Sequence, residues 1–193
     1  MIRGSVFPAK RMEIVEQVEE EFGYAELQVA SMPDLYAGKI CAALDRQHPR
    51  DKFDIKLLFE NEGFTDNLRK TFLVFLISYQ RPMSELLNPN RKNIREIYKN
   101  EFAQMTEIEI TVEELEDTRE QLIDIINTQL TKDERNFLIS FKSKKPNWEL
   151  LGLPNIIEVA NLPSVKWKLQ NLQKMNDAKH KAALEKLRAV LFD

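Results

Sequence analysis

The side chains that could do chemistry are gathered between residues 34 and 56. Lys39 closes the run Asp34-Leu35-Tyr36-Ala37-Gly38-Lys39, and Arg46, His48, Arg50, Asp51 and Asp54 crowd around Pro49 shortly afterwards. A lysine is a compact point charge suited to phosphate, an arginine grips phosphate oxygens as a fork, and an aspartate can orient a base, a nucleophile or the lysine itself. The pattern therefore fits a phosphate-handling site. Its candidate catalytic groups are Lys39, Asp51 and Asp54, and its candidate phosphate-binding groups are Lys39, Arg46 and Arg50. A plainer reading stands beside this one. Aspartate in a first helical turn is an ordinary cap, Arg50 and Asp54 form an ordinary i,i+4 pair, and a lysine beside glycine is commonly just solvated.

Two helices must position these groups. Apolar Leu35, Ile40 and Leu44 recur at helical spacing from Ser31 or Pro33 onward, leaving Lys39 on a different face. The break Gln47-His48-Pro49 separates that helix from a second one over about residues 50–61, stopped by Gly63, with Asp51 and Asp54 sharing one face near its start. Thr65 caps a strongly apolar helix reaching about Tyr79, whose Phe72, Phe75, Leu76 and Tyr79 stripe is a buried face. Further helices are expected at 91–104, 112–130, 132–142, 154–160 and 163–192, the last broken near Asn176. Thr131 with Glu134 is a capping-box pattern. Before residue 31 the signals mix: Val6-Phe7 read as the end of a strand, 13–22 as an acidic helix and 24–30 as a strand. The expected fold is mainly α with a small N-terminal sheet of two or three strands, divided into 1–62, carrying the motifs, and a helical domain over 63–193.

Composition narrows the class. A chain of 193 residues with 43% apolar side chains can bury one sizeable core or two small ones. No stretch approaches a membrane span or a signal peptide, so the reading is a soluble, cytoplasmic protein. One cysteine, Cys41, makes no internal disulfide and reads as a buried thiol. Two distant histidines, His48 and His180, form no metal cluster. Residues 1–141 hold 18 basic and 26 acidic side chains, whereas 142–193 hold 10 and 5. That basic tail suits nucleic acid or an acidic partner, or is a solvated helical face.

The segments Asp34 to Lys39 and Arg50-Asp51-Lys52-Phe53-Asp54-Ile55 resemble the AbiEii/AbiGii nucleotidyltransferase toxins, which carry a Gly-Lys or Asp-Lys followed by Arg-Asp-x-x-Asp. The resemblance extends to Trp167-Lys168-Leu169-Gln170-Asn171-Leu172 and the closing helix over 187–191. It implies a nucleotidyltransferase core with a helical C-terminal domain, and a toxin restrained by a separately encoded antitoxin. It also implies nucleotide transfer from an NTP to an acceptor such as tRNA. By the same resemblance Lys39 contacts nucleotide phosphates, and Asp51 or Asp54, with Asp51 favoured, positions the reacting groups.

One departure is plain. The family carries a Gly-Ser or Gly-Gly turn followed about ten residues later by Asp-x-Asp, the pair that holds Mg²⁺ on the triphosphate. Gly4-Ser5 has no such follower. The expectation is a shortened or split chain, inactive alone, using Mg²⁺ and NTP only where the missing acidic pair is supplied. The opening strand could be covered by homodimerisation. The alternative reading is a non-catalytic helical module binding an antitoxin-like protein or RNA.

Overall fold

Capping chemistry fixes most of the helix starts. The computed structural model describes residues 4–192, so the opening Met1-Ile2-Arg3 lies outside the described residues. Helix α2 (Met32–Asp45) begins where the Ser31 hydroxyl accepts the Asp34 amide, with proline in the first turn. His48 does the same for α3 (Pro49–Asn61): its ring nitrogen accepts the Arg50 amide, and Pro49 leads the helix. Thr65 caps α4 (Asp66–Ser78). Reciprocal capping boxes open α7 (Val112–Gln129), from Thr111 and Glu114, and α8 (Lys132–Lys142), from Thr131 and Glu134. The remaining helices are α1 (Glu16–Phe22), α5 (Met83–Leu87), α6 (Arg95–Glu101), α9 (Ile156–Ala160), α10 (Pro163–Gln173) and α11 (Asp177–Phe192), with a 3-10 turn at Trp148–Leu151.

The core is organised around α4. Its Phe72, Leu73, Leu76 and Ile77 are fully buried, and each such side chain contributes roughly 1.5–3 kcal/mol of burial. Helix α2 lies against α4 along its length, while α8 and α10 cover other faces. Gly38 on α2 is explained here: a Cβ at that position would stand 3.4 Å from the Phe75 ring, so the small residue admits an aromatic side chain of the core. Helix α3 packs between α2 and α7. A second, smaller cluster joins Ile94, Phe102, Ile110, Val112 and Leu115 to Phe53 and Tyr98. The expected mainly α fold with a small sheet is what forms.

The N-terminal strands differ from expectation in place. Two strands, β1 (Lys10–Glu13) and β2 (Glu26–Val29), pair antiparallel with Lys10 opposite Val29 and Glu13 opposite Glu26. Val6-Phe7 is not a strand. Its amides are captured instead by one carboxylate, Val6 N donating to Asp34 Oδ1 at 2.7 Å and Phe7 N to Asp34 Oδ2 at 2.9 Å, which bends the chain onto the start of α2. Val6 is thereby buried. The helix expected from residue 13 starts at Glu16, because Glu13 belongs to β1. Every residue of both strands is exposed, and Met12, Val15, Phe22, Leu27 and Val29 all present apolar surface to solvent.

Candidate functional site

Helices α2 and α3 run back to back, and this brings the sequence-selected charges into two rungs. Lys39 and Arg46, seven residues apart, share a face of α2, while Asp54 and Asp51, three apart, share a face of α3. Lys39 Nζ meets Asp54 Oδ2 at 2.6 Å, and Arg46 Nη2 meets Asp51 Oδ1 at 2.7 Å. Lys39 is also held 5.7 Å over the Tyr36 ring, so its ammonium is fixed by a carboxylate and a π-face together. Side chains of Lys39 and Asp54 remain about one-third exposed, at 32% and 29%. The pair is therefore organised yet reachable from solvent.

Asp51 is different in kind. It is buried, and while Oδ1 takes Arg46, its Oδ2 has no hydrogen-bond partner. A dry carboxylate oxygen without a donor is uncommon in a folded chain and leaves an acceptor open. The next residue, Lys52, points its fully buried ammonium toward α7 with no partner either, beside Arg119. Burial first, and the Arg119 charge second, lower its pKa to about 8. Arg50 is exposed at the first turn of α3, its guanidinium free to reach a ligand. His48 is an N-cap whose other ring nitrogen lies 3.3 Å from Glu101 Oε2, which commits it to structure.

The residue that fixes this geometry was not among the sequence candidates. Gln47, at the α2–α3 reversal, has φ 56° and is fully buried. Its Nε2 donates to the Asn90 carbonyl at 2.7 Å. Its Oε1 accepts the Lys92 amide at 3.0 Å and Arg119 Nη1 at 3.4 Å. Its role depends on partners more than 40 residues away, so no local signal marked it.

The donor set suits phosphate better than metal. Among the described residues no group of three or more His, Cys, Asp or Glu could hold a metal ion. Asp51 and Asp54 each already face a cation, and Mg²⁺ requires several oxygen ligands in near-octahedral array. The residues present do not fit a Mg²⁺ centre. A lysine and two arginines within two helical turns of the reversal do fit phosphate oxygens.

The fold and the site together define a mainly helical chain with an organised Lys–Asp pair beside a helix reversal. Residues 1–171 match the family described as Nucleotidyl transferase AbiEii toxin, Type IV TA system, and the chain belongs to that family. Its membership makes it a toxin of a type IV toxin–antitoxin system and implies an antitoxin partner. Comparison with curated proteins and with solved structures returned no match. No helix among the described residues is long and apolar enough to cross a membrane.

Proposed function

We propose that the α2–α3 element is the phosphate-binding half of a nucleotidyltransferase site, acting on an NTP with an RNA such as tRNA as acceptor. The observation that carries this reading is the Lys39–Asp54 pair, held at 2.6 Å yet partly open to solvent. In this reading Lys39, with Arg46 and Arg50, holds triphosphate oxygens, Asp54 orients the lysine, and Asp51 positions the reacting groups by orienting Arg46. The acidic residues that hold Mg²⁺ in this chemistry are not part of the α2–α3 element, whose Asp51 and Asp54 already face cations. Residues 1–62 supply the motifs and the helices beyond them the frame, a division of role around residue 63.

Calorimetric titration of each NTP, with and without Mg²⁺, into wild type and Lys39→Ala tests the reading. Binding weakened at least about tenfold by Lys39→Ala supports it. Heat-silent titrations with all four NTPs, or equal affinity in the variant, refute it.

A second reading rests on the N-terminal arm. Strands β1 and β2 carry solvent-facing Met12, Leu27 and Val29, and α1 adds Phe22 at 74% exposure. Isolated two-stranded hairpins are marginal in water, and such apolar exposure marks a surface used in association. Here the arm docks the antitoxin or a second copy of the chain. Native mass spectrometry of the chain alone and with its antitoxin separates the two, and a monomer unaffected by antitoxin excludes both.

A further inference from the structure

A second constellation of charges lies away from the α2–α3 rungs. Between the chain leaving α4 and helices α8, α10 and α11 the fold leaves a cavity of about 460 Å³. Its walls include Met83, Phe141, Trp167 and Met175, and two lysines, Lys142 from α8 and Lys168 from α10, line it. Aspartate and glutamate are missing from the lining altogether. Lys142 is only 8% exposed, and its ammonium has no hydrogen-bond or ion-pair partner among the described residues. Lys168 donates to the Tyr79 carbonyl, a neutral acceptor that leaves its charge uncompensated.

Two ammonium groups in an apolar cavity without a counter-ion are costly to the fold. Burial lowers the pKa of both, and Lys142 lowers that of Lys168 further, to about 8. The lining offers no carboxylate, so an anion entering the cavity would meet both ammonium groups without a competing charge. The volume falls in the range of small-molecule sites, and the aromatic and thioether walls favour an apolar body. An arginine fork, the usual partner of a multiply charged phosphate, is not part of the lining.

We propose that this cavity binds a small organic carboxylate with an aromatic or branched apolar body, the carboxylate seated between Lys142 and Lys168 and the body against Trp167, Phe141 and Met83. The site is separate from the nucleotide reading and does not depend on it. Trp167 is 41% exposed and forms part of the wall, so occupancy alters its fluorescence.

The test titrates 1-naphthoate into the wild-type chain by tryptophan fluorescence and calorimetry, with neutral 1-naphthamide as the control. Lys142→Met and Lys168→Met keep the apolar stems and remove the charges. The expected result is saturable naphthoate binding, at least about tenfold tighter than the amide and weakened at least about tenfold in each variant. Lys142→Met should melt no lower than wild type, because it removes a charge that burial disfavours. A measurement on the wild type alone guards against variants that fail to fold: naphthoate should protect Lys142 and Lys168, but not Lys166 or Lys174, from acetylation by acetic anhydride. No binding of naphthoate, amide binding of equal strength, or unchanged acetylation at both lysines overturns the proposal.

Discussion

Replacing Lys52 by methionine should stabilise the protein at neutral pH, and the size of the gain follows from the lysine's surroundings. Its side chain is 1% exposed, its ammonium is unpartnered, and it lies against α7 beside Arg119. Burial and Arg119 lower the pKa from 10.5 to about 8, with Glu116 and Glu120 opposing. At about 1.4 kcal/mol per pH unit, a displacement of that size corresponds to roughly 3 kcal/mol of destabilisation. The cost is carried in full below pH 8, where folded and unfolded states are both protonated. Between pH 8 and 10.5 the folded state releases the proton first, so the cost fades as pH rises. Methionine keeps the linear apolar stem and removes the charge. Lys52→Met should therefore raise the unfolding free energy at pH 7 by up to about 3 kcal/mol, or up to roughly 6–12 °C in Tm for a chain of this size. Urea unfolding followed by circular dichroism, for both proteins at pH 7 and pH 9.5, reads the difference. A variant less stable than wild type at pH 7, or an advantage that does not shrink at pH 9.5, would refute the argument.

Three other substitutions test separate parts of the frame. Asp34→Ala removes the acceptor of two backbone amides and of the Ser31 hydroxyl, so it should cost about 2–4 kcal/mol and speed hydrogen exchange at Val6 and Phe7. Unchanged exchange at those amides would contradict it. Glu134 is 2% exposed, pairs with Arg69 at 3.0 Å and closes the α8 capping box. Its change to alanine should cost about 3–5 kcal/mol by urea unfolding, since Arg69 keeps only the exposed Asp66. Asp54→Asn, in contrast, breaks an accessible pair and should alter stability by less than about 1 kcal/mol while changing NTP binding. A large loss of stability there would make the pair a structural clamp.

Sequence and structure agree where the determinants are local. The capping box at Thr131, the start of α2 at Ser31 or Pro33, the Thr65 cap and the buried stripe of α4 are each written within a few residues, and each is found. Short elements were missed: α5 and the 3-10 turn at Trp148 are too brief to show a period. Val6-Phe7 misled because its apolar, extended look comes from burial, while its amides bond to Asp34 some 28 residues away. The site residues were legible as types. Their pairing was not, because whether Asp51 or Asp54 faces Lys39 depends on the angle of the reversal between the helices. The Lys142 and Lys168 cavity was equally hidden, since it forms only when α8 and α10 meet over the end of α4.

Gln47 gives the α2–α3 pair a property that its charged residues do not have. Its backbone holds a left-handed turn that glycine or asparagine would adopt more easily, and neither has a side chain of the right length for the same three contacts. The reversal that sets α2 against α3 is thus tied by an uncharged amide to the loop before α6 and to α7. A movement of Asn90, Lys92 or Arg119 would therefore act on the reversal itself through Gln47, without any change at Lys39, Asp54, Arg46 or Asp51.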